Sequence, residues 1–211
     1  MKDFPVFTCD SGAASLILKE IPYRREAYIR IQDTLDPENL VRECVSFCRM
    51  CGAEAVYASG HPWLERLPLH CAVLEMRGEA RPDPGKTCCL WPVTPGTAPE
   101  FRALCNDRMA GVDNAGTLEA KDEDWLSALP GYFVHQGKTL LGIGILEENC
   151  IRAIASAIPG GGERSLHTLL TLCPGEMLRL EVASTNTRAI RLYERAGFLK
   201  TRELSRWYRA K

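Results

Sequence analysis

The sequence carries no charge excess, no long apolar run and few histidines, and each shortage weakens a class of function. Lys and Arg number 26 against 27 Asp and Glu, a formal net charge of -1. No basic tail or Lys/Arg-rich run breaks that balance, so bulk-charge attraction to nucleic acid or to an anionic membrane surface has no support. No apolar stretch approaches the roughly 20 residues of a membrane span. The opening MKDFPVFTCDSGAASLILKE lacks the continuous apolar region of a secretory signal. The expectation is a soluble, cytoplasmic protein, monomer or homodimer, with neither membrane nor nucleic acid as partner.

Cysteine is the residue in surplus. Ten are scattered through 211 residues with a normal supply of apolar side chains, which argues against a small disulfide scaffold and for reduced thiols. In CVSFCRMC, the spacing of Cys44, Cys48 and Cys51 places all three on one helical face beside Val41 and Val45. Core packing is the economical reading, since free cysteine behaves as a small buried hydrophobe. A redox or metal reading would use Cys48 and Cys51, but His61, His70 and Cys71 form no second ligand pair of matching spacing. Cys88 and Cys89 are adjacent and point to opposite faces of a strand. His135 and His167 stand alone, with a satisfied structural role as the default. No metal is expected.

The stretch RGEARPDPGKT, residues 77–87, has no apolar periodicity and reads as a break, with 81–87 as linker. Before it, AASLILKEI and EAYIRIQD read as strands joined by a turn at Pro22. A helix follows from Pro37 to about Met50, capped by Asp36 and ended by Gly52. Strand AEAVYAS, helical turn HPWLERL and strand LHCAVLEMRG complete residues 1–80. After the break come strand CCLWPVT, a helix over 98–110 with Phe101, Leu104, Cys105 and Met109 on its apolar face, and a helical segment LEAKDEDWLSAL. Strands GYFVHQ, TLLGIGILEE and CIRAIASAI then turn at Gly137-Lys138 and Glu148-Asn149. A helix over about 164–172, strand MLRLEVAS, helix NTRAIRLYERA and strand FLKTRELSRWYR close the chain. The fold class is α/β (α+β): a mixed, mostly antiparallel twisted sheet flanked by helices. The closing strand-helix alternation repeats the order of residues 27–77, which suggests an internal repeat.

Gly160, Gly161 and Gly162 stand between a strand and a helix. One reading is a flexible turn. The other is an anion seat, because glycines reach positive φ and leave the first amides of the helix open to a phosphate, with Arg164 adding a charged contact.

The segment LRLEVASTNTRAIRLYERAGF, residues 178–198, resembles the closing signature of the GNAT superfamily of acyl-CoA-dependent N-acyltransferases. It is carried by Leu180, Val182, Asn186, Ala189, Leu192, Tyr193, Glu194, Gly197 and Phe198. Structural roles exist for the same positions: Ala189, Tyr193 and Ala196 share a helical face, Ser184 or Thr185 can cap the helix, and Gly197 suits its αL end. The resemblance covers residues 88–211 and implies a GNAT domain there, with residues 1–80 as a smaller, degenerate GNAT-like half. In that half GAEAVYASGHPWLERLPLH lacks the Asn and Gly-Phe of the signature, which implies a shaping role without a second catalytic centre.

The resemblance further implies acetyl-CoA as acyl donor and an amine of a small molecule or peptide as acceptor. Pantetheine would lie along Ser156, Ala157 and Ile158, and the pyrophosphate on Gly160, Gly161, Gly162, Glu163, Arg164 and Ser165, with Asn186, Ala189 and Tyr193 completing the cofactor site. The glycine loop departs from the family's Arg/Gln-x-x-Gly-x-Gly/Ala, which it matches only with a gap. Tyr193 falls where the family often places the proton donor to the departing thiolate, and a packing role in its helix is the alternative. Glu147, Glu148 and Glu181 are the carboxylates near the cleft strands; water could relay the proton instead. MAGVDNAGT, Trp125 and Tyr132 would border the acceptor, and AKDEDW reads as a solvated helix face before it reads as a cation site. An enzyme is the first reading, and a non-catalytic CoA-binding or sensor protein that keeps the fold is the second.

Overall fold

A computed structural model describes residues 5–128 and 130–211. The first four residues of the expected N-terminal half, and Leu129 at the end of LEAKDEDWLSAL, lie outside the described residues. The chain divides into two compact units, Met1–Val73 with Glu203–Lys211, and Leu74–Arg202. Residues 81–87, expected as a linker, fall within the second unit and carry neither helix nor strand.

The first unit contains β1 (Val6–Cys9), β2 (Gly12–Ile17), α1 (Ile21–Arg24), β3 (Glu26–Thr34), α2 (Pro37–Met50), β4 (Ala55–Ser59), a 3-10 turn over Pro62–Arg66, the start of β5 (Leu69–Glu79) and the end of β11 (Leu199–Arg209). Its strands run in the order β1-β2-β3-β4-β11-β5. β3 and β4 pair in parallel, because α2 crosses between them. The Asp36 carboxylate accepts the Asn39 N–H at 3.1 Å, Pro37 opens the helix, and Leu40, Val41, Cys44 and Cys48 face the core. Spacings of three and four stack those side chains on Ala27, Ile29, Ile31 and Val56. Cys51 departs from the expected stripe: it is the exposed C-cap, past the last turn. β1 and α1 are four residues each, too short to show a period, and the sequence pattern did not reveal them.

The second unit holds the rest of β5 and β11 with β6 (Cys89–Pro92), α3 (Ala98–Met109), a 3-10 turn at Ala120–Asp122, α4 (Glu123–Ser127), β7 (Gly131–Gln136), β8 (Thr139–Glu147), β9 (Cys150–Ser156), α5 (Gly161–Leu170), β10 (Met177–Ala183) and α6 (Thr187–Arg195). Its order is β11-β5-β10-β9-β8-β7-β6, and β9/β10 is a parallel pair. Phe101 and Cys105 of α3 and Leu126 of α4 pack on Phe133, Ile143, Ile145 and Ala155. On the other face α5 lies so close that a Cβ at Gly144 would sit 3.0 Å from Leu169. The hairpin turn at Glu148 and Asn149 takes φ of 45° and 58°, the left-handed pair that a two-residue turn requires.

Two elements differ from the sequence reading. LEAKDEDWLSAL is not one helix, because a reciprocal cap between Glu119 and Asp122 closes a 3-10 turn before the single turn of α4 begins. Helix α5 starts at Gly161, three residues earlier than expected. Gly160, at φ 81°, is its N-cap, and the Gly161 N–H bonds back to the Ile158 carbonyl at 3.1 Å.

Candidate active site

The parallel pair β9/β10 is joined at only two positions, Cys150 with Arg179 and Ile151 with Leu180. Both strands run on, to Ser156 and Ala183, without further pairing to each other. A bulge at Arg152, where Ile145 faces Ala153 and Leu146 faces Ile151, bends β9 at the point of divergence. The Ala157 N–H donates to Leu141 O at 2.8 Å, so the alternation of the antiparallel ladder turns the main chain of Ile154 and Ser156 away from β8, toward the gap. The Ala157 carbonyl accepts from Arg108 Nη2 at 3.0 Å, and the Ile158 carbonyl accepts from Gly161. Of the three residues expected to offer main chain, Ser156 is the one the ladder presents to the gap.

Each glycine has its own reason. Gly160 needs positive φ and has nothing within 4 Å of a built Cβ. Gly161 is buried, and a Cβ there would sit 2.2 Å from Leu141 O; at Gly162 it would meet Ser156 Oγ at 2.8 Å. Two of the three therefore let α5 press against β8 and β9, and the same two put no side chain over the first turn of α5, where the Gly161 N–H is held by Ile158 O and the amides that follow have no partner within the helix. Gly160 and Gly162 keep a Gly-x-Gly spacing with Ala157 three residues before, so no gap is needed after all: the departure is Ala157 at the Arg/Gln position. Ser165 is fully buried, donates to Gly161 O at 2.8 Å and lies against Gly142, where a Cβ would come within 2.4 Å of its Oγ.

The side chains of Glu163 and Arg164 meet residues 83–88. Lys86 Nζ lies 3.0 Å from Glu163 Oε1 and 3.4 Å from Asp83; the ammonium holds the Glu163 carboxyl below its ordinary range. Arg164 Nη1 is 3.8 Å from Cys88 Sγ. His167 is buried, accepts the Asp83 N–H at Nδ1 (3.2 Å) and bonds to the Arg81 main chain; burial lowers its pKa. The Cys88 N–H donates to Thr168 Oγ1 at 2.9 Å. The segment expected to be a linker is thus strapped along α5.

Asn186, between β10 and α6, is the N-cap: its Oδ1 accepts the Ala189 N–H at 3.1 Å. Neither Ser184 nor Thr185 caps, because only the residue next to Thr187 reaches the third amide; Thr185 instead donates to Asp113 Oδ2 at 2.6 Å and ties down the loop GVDNAG. Asn106 of α3 clamps the far side of that loop through both Leu118 main-chain groups. Tyr193 is 7% exposed and packs on Phe198 with centroids 6.1 Å apart; its carbonyl accepts from the Ala196 and Phe198 N–H groups, and its hydroxyl bonds to no other described residue. Burial pushes its phenol up to about 12.

The three carboxylates do not converge. Glu147 accepts from Trp125 Nε1 (2.9 Å) and Arg152 Nε (3.0 Å), which hold it below its usual range. Glu148 lies in the turn preceding β9, about 20 Å of strand from the start of α5. Glu181 is exposed on β10. In AKDEDW, Asp122 caps and Glu123 pairs with Arg102 at 2.7 Å, a structural use of those charges. Among the described residues no cluster of His, Cys, Asp and Glu is arranged to hold a metal, and all ten cysteines are free. Burial raises Cys44 to about 12 and Cys48 to about 11. No helix among the described residues is long and apolar enough to cross a membrane.

No family profile matches the sequence, and no curated protein matches it. Solved structures do. A GCN5-related N-acetyltransferase from Anabaena variabilis is 10% identical, with 93% of this chain and 58% of that chain covered and a TM-score of 0.59. One from Kribbella flavida is 12% identical over 96% and 58%, at 0.55, and one from Sphaerobacter thermophilus is 12% identical over 95% and 77%, at 0.53. The chain has the fold of the GCN5-related N-acetyltransferases, the fold that its 178–198 signature implies.

Arg108, Lys86 and the Asp113–Thr185 tie were not foreseen, since each meets its partner across a long stretch of chain. The alternating Gly142 and Gly144 in LLGIGILEE were the one available signal, as glycine inside a strand marks a close backbone approach.

Proposed function

We propose that the protein is an N-acetyltransferase that transfers an acetyl group from acetyl-CoA directly to a primary amine of a small molecule or peptide. The observation that carries this reading is the parting of β9 and β10 after two pairs, beside a helix whose first turn is bare glycine. An unpaired strand edge suits the amides of an extended pantetheine, and open first-turn amides suit a diphosphate. Acetyl-CoA supplies the activated thioester. Ser156 lends main-chain groups to the pantetheine, and Gly160, Gly161, Gly162, Glu163, Arg164 and Ser165 form the phosphate end, with Lys86 screening the Glu163 carboxylate. Asn186 and Ala189 fix the start of α6, and Tyr193 keeps its proton at neutral pH for the leaving sulfur.

A CoA-binding protein without turnover is the second reading. It draws on Ala157 in place of a cation or amide and on the Glu163 carboxylate in the first turn of α5. Titration calorimetry with acetyl-CoA, followed by thiol-release assays over an amine panel, separates the two. Binding with amine-dependent release of CoA is expected. Binding with no release across the panel would establish the second reading, and no heat of binding would remove both.

A further inference from the structure

On the face of the second unit that α3 and α4 cover, the helices stop short of β10, β5 and the start of β11. The exposed residues of β10 there are Met177, Arg179 and Glu181, and Arg77 is exposed on β5. Trp125 of α4 meets Glu147; Glu147 pairs with Cys150, and Cys150 with Arg179, so the three share one face. Hydrogen bonds between Ala80 and residues 175 and 176 set the antiparallel register of β5 on β10, and counting back along it brings Arg77 opposite Arg179 and Glu75 opposite Glu181.

Glu75 organises this face. It is 3% exposed, and its carboxylate accepts from Arg77 Nε (2.8 Å), Arg202 Nη2 (3.1 Å) and Thr201 Oγ1 (3.0 Å). These partners, Arg77 first, hold it down to about 2, so it stays ionised throughout the neutral range. One buried anion thereby fixes two guanidinium groups, each through a single nitrogen. The Arg77 and Arg202 side chains are 47% and 61% exposed, and their remaining donors face water. Arg179 adds a third cation on exposed strand surface. Glu181, two residues on, is about 7 Å along β10 and marks the first position past the last β9/β10 pair. Arg179 and Arg77 therefore lie on the paired side of the opening, with the exposed Glu181 carboxylate between them and the gap, on the side away from α5.

We infer that this face is the acceptor-side subsite for an oxyanion, so that the amine acceptor carries a carboxylate or phosphate group that Arg77, Arg202 and Arg179 bind. The inference rests on the acetyltransferase reading for the word acceptor, while the anion site itself does not depend on turnover. Forked guanidinium donors match a planar carboxylate or a phosphate, and an immobilised fork loses little entropy on binding.

The test reads the arginine Nε–H resonances of the full chain while N-acetylalanine, its carboxamide, and the O-phosphate of N-acetylethanolamine are added in turn. The carboxylate or phosphate probe is expected to shift Arg77 and Arg202, with at least tenfold tighter binding than the amide; the stronger of the two names the source of the oxyanion. Arg202→Gln should weaken that probe about tenfold. Arg179→Gln, which leaves every Glu75 partner in place, should weaken it measurably and guards against misfolding of the first variant. Equal binding of amide and acid, or no change in either variant, overturns the anion site. Calorimetry with acetyl-CoA on the same samples decides the catalytic reading separately.

Discussion

Tyr193 shows how much one side chain can carry. Its ring is packed in the core of the second unit, yet its hydroxyl bonds to no described residue and is not sealed from solvent. Tyr193→Phe removes the oxygen and little packing. The expected result is a fall in transfer rate on the order of 100-fold, the scale of general acid catalysis, with the acetyl-CoA dissociation constant unchanged by calorimetry. Because burial holds the phenol near 12, its protonated form persists through the neutral range and is lost only as pH climbs toward that value. Rate and affinity falling together would return Tyr193 to packing alone. Asn186 and Gly197 were legible at this scale because their work is local, a cap on Ala189 and a φ of 90° at the helix end. Glu75 was not, since Thr201 and Arg202 reach it from 126 and 127 residues away.

At the scale of the element, the strand-to-helix corner at 157–165 separates conformation from packing within three adjacent glycines. Gly160→Ala adds a methyl group in open space and forces a left-handed φ on an L residue, at about 1 kcal/mol. Gly161→Ala drives a methyl group into the Leu141 carbonyl, and relief requires α5 to move off β8, at roughly 1–3 kcal/mol. Urea denaturation should rank Gly161→Ala clearly below Gly160→Ala. Equal losses would mean that α5 does not press on β8 as described. Sequence patterns found α2, α3 and α6 to within a residue or two, since α2 and α3 bury a stripe at helical spacing and α6 has its Asn186 cap and a glycine past its end. They placed the start of α5 late because glycine has no side chain to register in a pattern.

For the whole molecule, the division into units follows contacts more than chain order: the last nine residues of the chain belong with its first 73. Tyr208 lies in the core of the first unit with Leu40 and Cys44, and Trp207 packs edge-on against Tyr28 with centroids 5.3 Å apart. Deleting residues 203–211 should therefore unfold the first unit, read as loss of hydrogen-exchange protection over 26–59; protection kept there would refute the assignment. The sequence by itself determined the mixed sheet, most of its helices and the Asn-to-Gly-Phe segment, because these rest on short-range periods, caps and turns. Only the tertiary structure decided where β9 leaves β10, why Gly161 must be glycine, and which carboxylate gathers the arginines. Those outcomes depend on atoms that approach one another across strands, and no spacing along the chain records such an approach.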